Sequence, residues 1–116
     1  MKRIVIIDDE LDMAQTMAIL LQDEGYKALA FADGEVGLAY MKEVLPHLVI
    51  LDVMMPLVQG QDVVKAMKAD QLLRSVPILL ISASKEPVMK GDHWNRFLRK
   101  PFDIYELIAE VKELVK

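Results

Sequence analysis

Acidic side chains follow two strand-like runs of the sequence, at the point where each run ends. Asp8 and Asp9 come directly after the apolar run 3–7, and Asp52 follows the apolar run 48–51. In an open parallel sheet the ligand site lies outside the carboxyl ends of the strands, so we expect the three carboxylates to meet at one rim. Such a cluster needs a cation, because two carboxylates about 4 Å apart repel each other by roughly 4 kcal/mol at an effective dielectric constant of about 20.

Two further strand-like runs end in groups that belong at the same rim. Run 76–81 leads to the hydroxyl of Ser82, and run 96–99 leads to the ammonium of Lys100. With no cysteine and no suitably placed histidine, the ligands at this rim are oxygens only. Oxygen ligands favour a hard cation. Mg²⁺ fits best, with Mn²⁺ as a substitute, because it keeps waters and takes one or two carboxylates together with phosphate oxygens. A phosphate is therefore expected to complete the site.

Composition restricts the class of protein. The chain has 116 residues, of which 53% are hydrophobic and 28% charged, and this predicts one globular domain over 1–116. A net charge of −4 without a Lys/Arg cluster argues against direct contact with nucleic acid. The N-terminal apolar run is too short for a signal peptide or a membrane span. We therefore expect a soluble, cytoplasmic protein without membrane contact.

Short β-branched runs alternate with segments of helical period, the pattern of repeated β-α units around a parallel sheet. Expected strands are 3–7, 26–31, 48–51, 76–81 and 96–99, and expected helices are 11–24, 33–44, 61–70 and a last one that begins at Asp103. The third strand is apolar on both faces, which places it in the middle of the sheet. Glu106 stands three residues after Asp103, as in a capping box. A further helix, the fourth along the chain, is expected between the fourth and fifth strands, within 84–95. Pro87 and Gly91 should make this helix short or irregular.

With these elements in place, the sequence resembles the receiver domain of bacterial two-component response regulators over essentially the whole chain. The resemblance rests on short motifs in the right order, each at a strand end: Asp8-Asp9-Glu10, Asp52-Val53-Met54-Met55-Pro56 with Gly60, Ser82-Ala83, and Lys100-Pro101-Phe102. It implies an α/β fold with a doubly wound, five-stranded parallel sheet in the flavodoxin-like strand order 2-1-3-4-5. The stretch from Ser82 to Lys100 is shorter than is usual in the family.

The resemblance also implies what the rim does. Asp52 would accept a phosphoryl group in phosphorelay signalling, and Lys100 would pair with the phosphoryl oxygens. Asp9 would bind Mg²⁺ directly and Asp8 directly or through water. Asp52 and the backbone carbonyl of Met54 would be the remaining protein ligands.

Further implications concern the switch and the partners. Ser82 would donate its hydroxyl to the phosphoryl group, and Phe97 stands at the position of the family's aromatic switch. A cis Lys100-Pro101 bond is implied as well. The donor would be a sensor histidine kinase or a phosphotransfer protein, and the downstream output is unknown. The domain would not be an enzyme in its own right, although it would assist its own phosphorylation and dephosphorylation. The alternative is a receiver-like interaction module that works without phosphorylation.

Overall fold

A computed structural model gives the fold and describes residues 1–53, 60–84, 86 and 93–116. Five parallel strands form one sheet in the order β2-β1-β3-β4-β5. They are β1 (Arg3–Ile7), β2 (Lys27–Phe31), β3 (Leu48–Asp52), β4 (Ile78–Ser82) and β5 (Arg96–Arg99). The described ranges contain four helices, α1 (Leu11–Asp23), α2 (Gly34–Glu43), α3 (Gly60–Ala69) and α4 (Ile104–Leu114). The predicted fold class and strand order are confirmed.

Helices cover the sheet on both faces, so the core has two halves. Helices α1 and α4 pack on one face and α2 and α3 on the other. Strand β3 is buried at every position, as the apolar run predicted. Its residues alternate between the two halves, with Leu48 and Ile50 on the α1/α4 side and Val49 and Leu51 on the α2/α3 side. The carboxyl end of β3 is thus held from both sides.

Local signals explain where the helices begin and end. Gly25 has φ +94°, the left-handed conformation that terminates α1. Asp33 caps α2 by accepting hydrogen bonds from the backbone N–H groups of Glu35 and Val36 at 2.7 and 3.2 Å. The capping box predicted for the last helix is present at Asp103 and Glu106. These helix ends were therefore readable from the sequence.

Two strands begin later than predicted. The N–H of Tyr26 donates to the carbonyl of Leu21 at 3.1 Å, so the ladder of β2 starts only at Lys27. The N–H of Val76 likewise donates back to Leu73 at 3.0 Å, and Pro77 has no N–H to give. Strand β4 consequently begins at Ile78.

The short fourth helix expected between 84 and 95 falls largely outside the described residues. None of the four helices in the described ranges has the length and apolar character needed to cross a bilayer.

Candidate functional site

Three carboxylates meet at the carboxyl rim of the sheet. Strands β1 and β3 are hydrogen-bonded neighbours, with Ile7 paired to Leu51, so Asp8, which follows β1, stands beside Asp52, which ends β3. One oxygen each of Asp8, Asp9 and Asp52 lies within 4.8 Å of the other two. Asp8 is fully buried and Asp52 is 4% exposed, whereas Asp9 faces solvent. The structure therefore brings together the acids that the sequence placed at strand ends.

Lys100 supplies positive charge inside this cluster. Its Nζ lies 2.8 Å from Oδ2 of Asp8, 3.4 Å from Oδ2 of Asp52 and 3.8 Å from Oε1 of Glu10. Its backbone N–H donates to the carbonyl of Ser82 at 2.7 Å, and the peptide bond that links it to Pro101 is cis. The backbone thus fixes where the ammonium enters the site.

The pKa of Lys100 reflects both burial and charge. Burial of the ammonium lowers the pKa, but the hydrogen bond that it donates to Asp8, the negative charge of Asp8, and the smaller contributions of Asp52 raise the pKa by more. The net result is a pKa above the ordinary lysine value. Lys100 is therefore fully protonated at neutral pH and serves as a fixed positive charge.

The oxygens of Asp8 and Asp9 differ in what they contact. Oδ1 of Asp8 accepts from the N–H of Glu10 at 3.0 Å and Oδ2 accepts from Lys100. Asp9 lies on the solvent side of the cluster. A hard cation fits this set of oxygens, because all donors are carboxylates and one of them opens to water. The backbone carbonyl of Met54, expected as another ligand, lies outside the described residues.

Ser82 ends β4 and is fully buried. Its Oγ accepts a hydrogen bond from the N–H of Ser84 at 3.0 Å. Phe97, paired with Leu80 in the neighbouring strand, is half-buried and packs against the α2/α3 half of the core together with Trp94. The hydroxyl and the ring are thus on adjacent strands, and Phe97 lies two residues further from the carboxyl end of the sheet than Ser82 does.

Sequence reasoning missed two contacts near these residues. The indole Nε1 of Trp94 donates to Oε2 of Glu86 at 2.7 Å. Asn95 accepts from the N–H of Ile78 at 2.9 Å through its side chain and donates to the Ile78 carbonyl through its backbone at 3.0 Å. No spacing rule gives either pairing, because both join residues across a connection rather than within an element.

A small apolar cavity adjoins the site. It has a volume of about 260 Å³ and is lined by Met13, Ala83, Lys100, Pro101 and Phe102. The cavity therefore lies beside the ammonium, between the start of α1 and the connection from β5 to α4. It was not anticipated from the sequence.

Comparison with known proteins identifies the family. The family model described as "Response regulator receiver domain" matches residues 4–112. The chain belongs to the receiver domains of two-component response regulators, which act in phosphorelay signalling. The DNA-binding response regulator MtrA of Mycobacterium tuberculosis is 33% identical over 115 residues, a match that covers 96% of this chain and 49% of MtrA. The regulator RpaA of Synechocystis is 32% identical over 120 residues, covering 100% of this chain and 50% of RpaA.

Solved structures agree with that assignment. The chemotaxis protein CheY4 of Vibrio cholerae has a TM-score of 0.89 and 28% identity, with 98% of both chains covered. The response regulator TrrA of Thermotoga maritima, solved in complex with Mg²⁺ and BeF, has a TM-score of 0.85 and 30% identity, covering 98% of this chain and 99% of TrrA. TrrA was also solved in complex with the histidine kinase ThkA, with a TM-score of 0.84, 29% identity and 100% of both chains covered. The present chain spans about half the length of the curated relatives it matches.

Proposed function

We propose that residues 1–116 form one receiver domain in which Asp52 accepts a phosphoryl group from a histidine kinase or a phosphotransfer protein, in a reaction that depends on Mg²⁺. The observation that carries this proposal is the meeting of Asp8, Asp9 and Asp52 within 4.8 Å around the ammonium of Lys100. Lys100 offsets only part of the charge of the three carboxylates, and Asp9 is open to solvent, which leaves both the charge and the access that a divalent cation needs.

The side chains have separate roles in this reaction. A carboxylate oxygen of Asp52 attacks phosphorus in line, forming a P–O bond as the bond from phosphorus to the donor nitrogen breaks. The leaving imidazole keeps the electron pair of that bond and takes a proton from solvent. Lys100, already 3.4 Å from Asp52, moves onto the phosphoryl oxygens as a point charge. Positioning and charge stabilisation of this kind are the main needs of phosphoryl transfer.

Asp9 is the direct ligand for the metal. Both oxygens of Asp8 already accept hydrogen bonds, so Asp8 binds the metal either through water or by giving up one of these bonds. Asp52 and the carbonyl of Met54 complete the protein ligands. When bound, Mg²⁺ would supply positive charge that offsets the charge on the oxygens of the transferred group. The Mg²⁺–BeF complex of TrrA supports this assignment by likeness, and Mn²⁺ suits the same oxygens.

Ser82 and Phe97 carry the signal away from the site. In the structure the Ser82 hydroxyl accepts from the N–H of Ser84. After phosphorylation its O–H donates to the phosphoryl group, which draws residues 83 and 84 toward the rim and lets the Phe97 ring change its rotamer. The output partner is unknown. The complex of TrrA with a histidine kinase supports such a kinase as the donor. We place the domain in the cytoplasm, where such kinases present their phosphohistidine.

Intact-mass measurement tests the proposal. The protein is incubated with phosphoramidate, with and without Mg²⁺, and compared with Asp52→Asn. We expect the mass of one phosphoryl group only in the wild type with Mg²⁺. Asp62→Asn, which removes an exposed acid on α3, is the matched control and keeps the mass gain. A wild type that stays unlabelled under these conditions would support the alternative, an interaction module that works without phosphorylation.

A further inference from the structure

Gly60 touches the backbone of the residue proposed as phosphoacceptor. A methyl group on its Cα would lie 2.5 Å from the carbonyl oxygen of Asp52, 2.5 Å from Cα of Val53 and 3.1 Å from the carbonyl carbon of Asp52. Its own N–H donates to the carbonyl of Val53 at 3.3 Å. Only a hydrogen atom therefore fits between the first residue of α3 and the end of β3.

Neither partner in this contact is free to retreat. Helix α3 is anchored in the core by Val63, Val64 and Met67, all fully buried. Strand β3 is the central strand, and the N–H of Val53 continues its pairing with β4 by donating to Ile81 at 3.1 Å. Added volume at Gly60 would push directly on the end of β3, because the atoms nearest to an added methyl group belong to the backbone of Asp52 and Val53.

We infer that Gly60 is a positioning residue for Asp52: its missing side chain lets α3 press against the end of β3 and hold the carboxylate where it faces Lys100. This inference rests on the proposed phosphorylation of Asp52. A Cβ at 2.5 Å would have to move by roughly 1 Å to reach an ordinary contact, and a misplacement of about 1 Å can slow a reaction by about a hundredfold.

Gly60→Ala and Gly25→Ala separate this role from a general loss of stability. Gly25 has φ +94° with no atom within 4 Å of an added methyl group, so alanine there costs stability by backbone strain alone, at the end of α1 away from the site. The initial rate of phosphorylation by phosphoramidate with Mg²⁺ is measured for the wild type and both variants, at a temperature where all are folded. We expect Gly60→Ala to be slower by about tenfold to a hundredfold and Gly25→Ala to match the wild type.

Two further readouts do not depend on the labelling reaction. In the metal-free protein, amide hydrogen exchange of Val53 should be faster in Gly60→Ala than in Gly25→Ala, because the end of β3 is displaced. The dissociation constant for Mg²⁺ should rise as well, because Asp52, one of the proposed ligands, belongs to the displaced end of β3. Labelling of folded Gly60→Ala within about twofold of the wild type, or an equal slowing of both variants, would overturn the inference.

The remaining outcomes are also decisive. If the wild type itself is not labelled, the proposed function fails, and exchange at Val53 still decides whether Gly60 holds the end of β3. If Gly60→Ala does not fold, exchange is measured in the wild type. If the amides of Gly60 and Val53 are as protected from exchange as the amides of β3, the contact is supported. If the amide of Gly60 exchanges as fast as an amide that is open to solvent, the contact is refuted.

Discussion

The Nζ of Lys100 lies 2.8 Å from Oδ2 of Asp8, a carboxylate with no exposed surface. This ion pair joins the connection after β5 to the connection after β1 and spans 92 positions of sequence. The same ammonium is 3.4 Å from Asp52. Lys100 is thus the charge that allows two buried acids to stand next to each other before any cation binds.

Lys100→Met should lower the free energy of unfolding at pH 7 by about 2 kcal/mol. Loss of one partner from a fully buried pair costs about 3–5 kcal/mol, and the 12% exposure of the Lys100 side chain reduces the effect. Mg²⁺ should restore part of the loss, because it offers the acids another cation. Urea titrations with and without Mg²⁺ measure both effects, with exposed Lys65→Met as control. Equal stability of Lys100→Met and wild type would contradict the role of this pair.

Asp9→Asn should weaken Mg²⁺ binding more than Asp8→Asn. Asp9 is open to solvent, whereas both oxygens of Asp8 already accept hydrogen bonds from Glu10 and Lys100. We expect a loss of about tenfold for Asp9→Asn, equivalent to about 1.4 kcal/mol, measured by titration calorimetry. Asp12→Asn, on the exposed face of α1, is the control. The opposite ranking of the two variants would show that Asp8 is the more direct ligand.

Stability should fall as the pH drops below the ordinary histidine pKa of 6.5, because of His47. Nδ1 of His47 accepts from the backbone N–H of Arg3 at 2.9 Å and therefore must be neutral. Burial, followed by the charges of Arg3, Lys2 and the N-terminus, lowers its pKa. As the pH falls, the unfolded state thus binds the proton before the folded state does. The contribution of neutral His47 to the free energy of unfolding is therefore present above about pH 6.5 and is lost as the pH falls through the folded-state pKa.

His47→Gln, which keeps an acceptor and does not titrate, should remove this part of the pH dependence. Unfolding free energies at pH 5.0 and 7.5 would be compared for the variant and the wild type, with His93→Gln as the second histidine control. If the unfolding free energy fell by the same amount between pH 7.5 and 5.0 in both proteins, groups other than His47 would be its cause.

Ser82→Ala should still accept a phosphoryl group but should lose the conformational response. The Oγ of Ser82 accepts a hydrogen bond from the N–H of Ser84, which stands two residues before Glu86. Glu86 in turn accepts a hydrogen bond from the indole of Trp94, the single tryptophan of the chain. Phosphorylation of the wild type should therefore change Trp94 fluorescence, and Ser82→Ala should keep the mass gain with a smaller change. Exposed Ser75→Ala is the control. A full fluorescence response in Ser82→Ala would exclude this hydroxyl from the switch.

Asn95→Ala should destabilise the fold by about 1–3 kcal/mol, the usual cost of leaving a buried donor unpaired. The Asn95 side chain accepts from the N–H of Ile78, the first residue of β4 and fully buried. Thermal and urea unfolding measure the loss, and exposed Gln71→Ala provides the comparison. The expected loss should come with faster amide exchange at Ile78, and unchanged exchange there would argue against this bond.

Local sequence patterns predicted much of the fold. The apolar run of β3 predicted a central strand, and Asp103 with Glu106 predicted a helix start. Each of these signals could be read because its own residues lie within a few positions of one another. Predictions were off at Tyr26 and Val76, where turn hydrogen bonds to Leu21 and Leu73 delay the strand. Such bonds compete with the ladder for the same N–H group, and propensity alone does not decide the competition.

The sequence by itself determined that acids, a hydroxyl and a lysine end the strands of a parallel sheet, because the strand ends follow from periodicity. The order of the strands was implied by the resemblance to receiver domains that the motifs carry. Only the tertiary structure decided that Lys100 bonds Asp8 more closely than Asp52, that Asp8 is buried while Asp9 is open, and that Gly60 presses on the backbone of Asp52. These relationships depend on distances of a few tenths of an ångström between residues far apart in the chain. They are set by how the helices pack on the sheet, which no local pattern specifies.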